Sequence, residues 1–519
     1  MTVKTLIKKS EYHDSVSLML VARELSKLEG VQDAAVVMGT EANQSILSDA
    51  GLLTEEARSA SPNDLVIAVA TASDAIADAA LQKAEVLLKQ KALSTQTGEF
   101  KPRTIRGALS SNPSANVTVI SVAGRYASEE AWDALSHGLH VLLFSDNVSL
   151  EDEIALKKYA RDHCLLLMGP GAGTTILNNV ALGFANVLPR GPVGIVSAAG
   201  TGLQEVSTLL ARHGVGISQG LGTGGRDLKK EVGGIMMLEA LKALQQDDAT
   251  NVIVLISKPP AAEVVRLILD QVSASAKPAV ICFLGGDTSV LSDIPNVVPA
   301  HTLYECALLA ARLVRPEIGI VEELLETENI RLAERAGSLR TGRNPDQRYL
   351  RGLFSGGTLC YEAQVIWKKI LEEQVFSNAP LPGGNALADS TKSFEHTAVD
   401  LGEEEFTVGR PHPMIDNDLR IRRILQEGRD PEVAVILLDV VLGYGAHPDP
   451  AFDLGEAVEE AKKLAHAEGR ELTFVASVTG TEDDPQCLSR TAATLERAGV
   501  TVCDSNSAAA RLTALLVSG

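Results

Sequence analysis

The chain has 519 residues, of which 45% are hydrophobic, 22% charged and 4% aromatic. Its 47 Lys+Arg against 67 Asp+Glu leave a net charge of −20, which excludes electrostatic attraction to nucleic acid or an anionic membrane surface. No apolar run reaches ~18 residues, the opening MTVKTLIKKSEYHDSV lacks the apolar centre of a signal peptide, and six scattered cysteines without a CxxC pair fit a reducing cytoplasm, so a cytoplasmic protein is expected.

Strands and helices alternate, as in parallel α/β sheets covered by helices. Residues 15–29 have helical periodicity, AAVVMG and NDLVIAVA read as strands, and 73–93 as a long helix. Residues 94–114 are polar and read as a surface connection. NVTVISV, HVLLFSD and CLLLMGP then read as strands separated by helices, and the whole of 1–188 as one doubly wound, Rossmann-like domain. Within it, 169–188 is a crossing segment. A second α/β domain spans 189–316, and a charged linker spans 317–347.

Residues 348–519 repeat the second domain. GLFSGGTLCYEA (352–363) matches GIVSAAGTGLQE (194–205) with one residue deleted, and three later segments follow in the same order, which implies an internal duplication. An inserted loop, 394–425, interrupts the repeat and carries His396, Asp400, Arg410, His412, Asp416 and Arg420. Prolines on both sides of His412 stiffen it.

The chemistry gathers at the repeated motif. A strand empties into Ser197, Gly200, Thr201 and Gly202 at a helix start, and again into Ser355, Gly356, Gly357 and Thr358. Unpaired N–H groups at a helix N-terminus attract anions, glycine permits close approach, and hydroxyls add donors. The plainer alternative is a tight strand-to-helix turn capped by Thr201. Two such ends facing each other suit a phosphate group. Arg226, in GLGTGGRDL, and Arg410 are candidates for a substrate carboxylate, with Arg226 paired to Asp227 as the structural alternative. His412 is a candidate proton carrier oriented by Asp416. No cluster has metal-ligand spacing, and neither a Walker loop nor GxSxG is present.

LLMGPGAGTTI, GIVSAAGTGLQE, GLGTGGRDL, GLFSGGTLCYEA, VGRPHPMID, LLDVVLGYG and VTGTEDDPQC together resemble the FdrA family of succinyl-CoA synthetase-like proteins. The resemblance implies a CoA-binding-type Rossmann domain followed by two flavodoxin-like domains, with opposed helix ends holding phosphate. It also implies companion subunits and an oligomer. Ligases of this superfamily carry a phosphate-accepting His in a GHAG-like loop; here the loop is GGDTS (285–289). The expected activity is therefore phosphate-dependent carbamoyl or acyl transfer, of the type oxalurate plus phosphate to oxamate plus carbamoyl phosphate, with no cofactor. The alternatives are an acyl-CoA synthetase, which needs CoA, a nucleotide and a partner, and a non-catalytic metabolite-binding subunit.

Overall fold

In the computed structural model the apolar runs form four sheets. The structure describes residues 2–518 except 10, 12–14, 27, 29, 41–42, 45–46, 49, 95–101, 123, 292–293, 341–343, 372 and 408–410. The chain divides into two units: Met1–Arg103 with Glu404–Pro411, and Thr104–Glu403 with His412–Gly519.

The first unit holds β1 (Thr2–Lys8), β2 (Val31–Met38) and β3 (Leu65–Thr71), antiparallel in the order β1-β3-β2. Every residue of β3 is buried because it serves two faces. Leu65, Ile67 and Val69 pack with residues of the helices Ser15–Ser26 and Asp74–Ser94, while Val66, Ala68 and Ala70 pack with Leu47, Leu52 and Ala57. The expected Rossmann-like domain over 1–188 is thus divided at Arg103. The sequence reading missed β1, whose partner β3 lies more than fifty residues away and runs antiparallel.

The second unit begins with a helix, Ile105–Ser111, inside the expected surface connection, capped by Thr104 Oγ1 accepting from Gly107 N at 3.1 Å. A three-stranded parallel sheet follows: β4 (Val117–Ile120), β5 (His140–Leu143) and β6 (Leu167–Met168). The crossing segment forms a hairpin, β7 (Thr174–Leu177) and β8 (Val180–Gly183), on the edge of the next sheet. That sheet continues with β9 (Arg190–Ser197), β10 (Ile217–Gly222), β11 (Val252–Ser257), β12 (Ala279–Phe283) and β13 (Val297–Pro299), in the order β13-β12-β11-β9-β10-β7-β8.

The last sheet contains β14 (Tyr349–Phe354), β15 (Val375–Ser377), β16 (Asn385–Ala386), β17 (His396–Asp400), β18 (Val433–Val441), β19 (Thr473–Thr479) and β20 (Val500–Cys503), ordered β16-β15-β17-β14-β18-β19-β20. Five parallel strands repeat: β13-β12-β11-β9-β10 matches β20-β19-β18-β14-β17. The inserted loop of the sequence reading is therefore in part a core strand. His396–Asp400 is β17, the counterpart of β10, and Asp418–Arg429 is a helix. The linker also belongs to the fold, since Leu332 and Ala336 of its helix Val321–Leu339 lie in the core shared by both halves.

Side-chain parity corrects the alignment of the two halves. Ile195 and Val254 face the shared core, as do Phe354 and Leu437, and Gly352 pairs with Leu437. Gly352 thus shares a face with Ile195, and Gly194 faces the other way, against Leu244 and Thr250. A strand alternates strictly, so Gly352 corresponds to Ile195 and the motifs match without the deletion. Ser197 then corresponds to Phe354, Thr201 to Thr358 and Glu205 to Glu362.

The halves are tied by exchanged helix caps. Glu205 accepts from Asn506 N at 2.9 Å, at the start of helix Asn506–Val517. Glu362 accepts from Leu303 N at 2.6 Å, at the start of helix Leu303–Val314, and from Asn506 Nδ2 at 2.8 Å. Each glutamate serves the helix of the other half, where the N-terminal N–H groups favour a carboxylate. Burial pushes Glu362 up to about 7, and the neighbouring Glu205 adds to this.

Candidate functional site

The two repeated helices begin against each other. A β-carbon on Gly356 would stand 2.8 Å from Thr201 Cγ2, and one on Gly202 would stand 3.0 Å from Thr358 Cγ2. Each threonine therefore packs over the other half's glycine, and larger residues would push the tips apart. Neither helix, Gly200–Arg212 nor Gly357–Ile370, has a side-chain cap. The first intrahelical bonds are Leu203 N to Ala199 O and Cys360 N to Gly356 O. Among the described residues, the N–H groups of Gly200, Thr201, Gly202, Gly357 and Thr358 donate no hydrogen bond. Gly200, Thr201 and Gly357 are part-exposed, so solvent reaches these donors.

Other glycine turns crowd the first tip. Thr174 Oγ1 lies 3.5 Å from a β-carbon position on Gly200, and Pro170 O lies 2.5 Å from one on Gly224. Gly224 has φ +85°, a left-handed turn that suits glycine, so both geometry and space favour glycine there.

The second tip is different, because the protein supplies its own anions. Asp439 accepts from Ser355 N at 2.7 Å, Gly356 N at 2.8 Å and Ser355 Oγ at 3.1 Å. Arg420, also buried, donates from Nη2 to Asp439 Oδ1 at 3.2 Å and to the Asp439 carbonyl. Burial lowers the Arg420 pKa, and Asp439 opposes that by favouring the charged form. Ser355 and Gly356 are thus occupied from within, contrary to the expectation that they hold phosphate. Ser197 is also self-satisfied: its Oγ donates to Ala199 O at 2.7 Å and accepts from Ala199 N at 3.0 Å.

A second carboxylate, Asp400, ends β17 directly beneath the Gly357 helix. Its Oδ2 lies 2.5 Å from a β-carbon position on Gly357. Burial pushes Asp400 up to about 7, Glu403 adds to this, and the Lys258 ammonium opposes it. His412 faces the same place. A β-carbon on Gly402 would stand 2.8 Å from His412 Nε2, 2.9 Å from Ser355 O and 3.1 Å from Asp400 Oδ1, so this residue must be glycine. His412 Nδ1 accepts from Met414 N at 3.2 Å, which leaves the ring proton of the neutral form on Nε2. Burial holds His412 down at about 4, and repulsion from Arg420 contributes. Near neutral pH the site pairs a carboxyl that readily holds or loses a proton with an uncharged imidazole. Lys258, exposed at the end of β11 with Nζ 5.3 Å from the Tyr361 ring centroid, supplies a cation.

The remaining candidates fall elsewhere. Arg226 Nε pairs with Glu153 Oε2 at 2.8 Å and Nη2 donates to Val148 O at 2.8 Å; Asp227 is taken by Lys157, so the anticipated Arg226–Asp227 pair does not form. The Asp416 carboxylate accepts from Asp418 N at 2.8 Å and makes no hydrogen bond to the His412 imidazole among the described residues; only its main-chain N–H reaches His412, donating to the carbonyl at 3.2 Å. Arg410 lies outside the described residues. Asp400 was legible only as one polar group of the insertion; its position at a strand end under a helix tip depended on recognising β17.

A family model for the AllF heavy metal-associated domain matches residues 1–103, which is the first unit's main segment. A CoA-ligase model matches residues 353–516. The uncharacterized protein YahF of Escherichia coli (strain K12) is 44% identical over 511 residues, covering 98% of this chain and 97% of that one. The chain belongs to the YahF family. The alpha subunit of the ADP-forming succinate–CoA ligase of Staphylococcus aureus (strain Mu50 / ATCC 700699) is 27% identical over 180 residues, 34% of this chain and 58% of that subunit. A dinucleotide-forming acetyl-coenzyme A synthetase 1 from Ca. Korarchaeum cryptofilum, solved with phosphate and ADP, aligns over 81% of this chain and 86% of its own at 14% identity and a TM-score of 0.35. The CoA-ligase match relates residues 353–516, about the last third of the chain, to CoA-ligase proteins. The second tip, Asp400, His412 and Asp439 all fall inside the CoA-ligase match, whereas the first tip precedes it. Among the described residues no helix is long and apolar enough to cross a membrane, and no group of three or more His, Cys, Asp or Glu is placed to hold a metal ion.

Proposed function

We propose that this chain catalyses phosphate-dependent carbamoyl or acyl transfer, with oxalurate plus phosphate giving oxamate plus carbamoyl phosphate as the specific reaction. The observation that carries the reading is the meeting of two uncapped helix tips beside Asp400 and His412. Phosphate sits on the N–H groups of Gly200, Thr201 and Gly202, with those of Gly357 and Thr358 opposite. Lys258 holds the substrate carboxylate.

A phosphate oxygen attacks the carbamoyl carbon, a C–O bond forms, and the C–N bond to the oxamate nitrogen breaks. Protonated Asp400 gives its proton to that nitrogen and regains one from the attacking monohydrogen phosphate, so charge and protons balance. His412 donates its Nε2 proton as a hydrogen bond to the carbamoyl oxygen and stays uncharged. The loop after β12, Gly285–Ser289, offers no histidine to carry a phosphoryl group, which favours direct transfer. The second reading, an acyl-CoA synthetase that borrows its phosphate carrier from a partner, is supported by the CoA-ligase match.

The test is purified chain, alone and with the products of neighbouring genes, supplied with oxalurate and phosphate and followed by phosphorus NMR. Carbamoyl phosphate is expected when the companion subunits are present. Absence of any phosphorylated product with the full set of partners rejects the transferase, and CoA-dependent ADP release establishes the ligase instead.

A further inference from the structure

A cavity of about 460 Å³ opens on the helical layer between the halves. Four segments line it: the start of helix Leu303–Val314 (His301, Thr302, Glu305), helix Val321–Leu339 (Leu325, Glu328, Asn329), the later turns of helix Gly357–Ile370 (Val365, Ile366, Lys369, Ile370) and the start of helix Asn506–Val517 (Ser507, Ala508, Arg511). Its volume lies within the range of small-molecule sites.

The charges on its wall are what distinguish it. Among the described residues neither the exposed Lys369 ammonium nor the half-buried Arg511 guanidinium has a hydrogen bond or ion pair, whereas buried cations of this unit such as Lys157, Arg351, Arg420 and Arg470 do. The imidazole of His301 is likewise unengaged; only its main-chain N–H is used, by Glu305 Oε2 at 2.7 Å. Of the two carboxyls, Glu305 is occupied by that bond. Glu328 is pushed up to about 7 by burial, with Arg331 and Arg511 opposing, so much of its population is neutral at physiological pH. Two cations thus face the cavity against the Glu305 carboxylate and a partly neutral Glu328, in a protein of net charge −20. Beside the cations lie Val365, Ile366 and Ala508, which are buried, with Leu325 and Ile370 partly so. Two unpaired cations beside an apolar floor suit a carboxylate that carries a hydrocarbon body.

We propose that this cavity is a second binding site, for a small organic acid whose carboxylate pairs with Lys369 and Arg511 and whose carbon chain packs on Ile366 and Leu325. It is separate from the helix tips. Val365 and Lys369 lie eight to twelve residues along the helix from Gly357, roughly 12–18 Å at the α-helical rise. The helix that opens at Gly357 therefore ends in this cavity. The cavity is also lined by the N-terminal turn of Leu303–Val314, which Glu362 caps from the other half.

The test uses the full chain with glutarate, adipate and hexanoate as probes, read by isothermal titration calorimetry and by ligand-observed NMR. At least one acid is expected to bind below about 10 mM, and hexylamine is expected not to bind. Lys369→Gln with Arg511→Gln weakens that binding about tenfold or more, Glu328→Gln leaves it equal or tighter, and Gly200→Val at the helix tip leaves it unchanged. Lys369 is exposed and Arg511 makes no internal bond, so these variants keep the fold; retained circular dichroism and melting confirm it. Binding by none of the acids, binding indifferent to the Lys369/Arg511 pair, or binding abolished by Gly200→Val would each overturn the proposal.

Discussion

The two halves of the second unit share a skeleton and differ in charge at one level of it. Ser197 on β9 is flanked by Gly222 on β10 and Ile256 on β11. Its counterpart Phe354 on β14 is flanked by Asp400 on β17 and, one residue beyond the Leu353–Leu438 pair, by Asp439 on β18. The first half thus has a glycine and an isoleucine where the second has two aspartates. Both pairs lie under a helix tip, so the difference alters the same electrostatic element twice. One tip keeps its donors open to an external anion. The other is supplied with a structural carboxylate, Asp439, and a titrating one, Asp400. Duplication provided two equal helix ends, and divergence set two carboxylates beneath one of them and none beneath the other.

The largest expected effect comes from erasing the structural carboxylate. Asp439→Ile copies the first half but strands buried Arg420, and should lower unfolding free energy by about 3–5 kcal/mol in chemical denaturation. Arg420→Leu added to Asp439→Ile should restore much of it, since the unpaired charge is what costs. Equal instability of the single and double variants would show that the pair holds the fold by shape alone.

Asp400→Asn tests the other aspartate. The rate in the transfer assay should fall about a hundredfold, near 2.7 kcal/mol. In the native protein the rate should fall as pH rises through about 7, because the protonated form is the donor; the asparagine variant loses this limb. Stability gives an independent sign. Burial raises the group from 3.8 to about 7 in the fold, so its contribution is complete below about 4 and is lost as pH rises through about 7. The variant should lack that loss. A pH–rate limb that survives in Asp400→Asn assigns the titration to another group.

A smaller effect is expected where the tips touch. Gly356→Ala drives a methyl to within 2.8 Å of Thr201 Cγ2, and should cost about 1–3 kcal/mol by overpacking. Thr201→Ala should recover part of that cost by removing the opposing methyl, a coupling that a double-mutant cycle measures directly. Additive losses would mean that the tips do not press on each other.

Much of the shared skeleton was visible before the structure, and the reasons for the rest are physical. The repeated motif and the alternation of strands and helices gave the α/β class and the duplication, because buried parallel strands are written as apolar runs. The face of each strand was not legible. Ser197 and Ser355 look equivalent in letters, and only the pairing of Gly352 with Leu437 shows that they are offset by one residue. β17 was hidden for a similar reason. HTAVD is short and polar at both ends, so it reads as part of a loop until neighbouring strands enclose it. The occupation of Ser355 and Gly356 by Asp439 depends on a contact across 84 positions, which no local pattern records.

Arg226 gives the smallest effect and the sharpest test of which cation serves the site. It lies in a glycine-rich loop that reads as a binding turn, yet its guanidinium is committed to Glu153 and the Val148 carbonyl, and its side chain is 34% exposed. Glu153 is fully buried and keeps Lys157, at 2.8 Å, when Arg226 is removed. Arg226→Gln should therefore cost less than about 1 kcal/mol of stability, as expected for a part-exposed pair, and leave the KM for substrate unchanged. Lys258→Gln, at the open end of β11, should raise that KM about tenfold with little change in kcat, because the ammonium holds the substrate carboxylate in ground state and transition state alike. If instead Arg226→Gln raises KM and Lys258→Gln does not, the carboxylate binds on the glycine-loop side of the first tip, away from the Asp400 side on which Lys258 acts, and the place of the carbamoyl donor has to be redrawn.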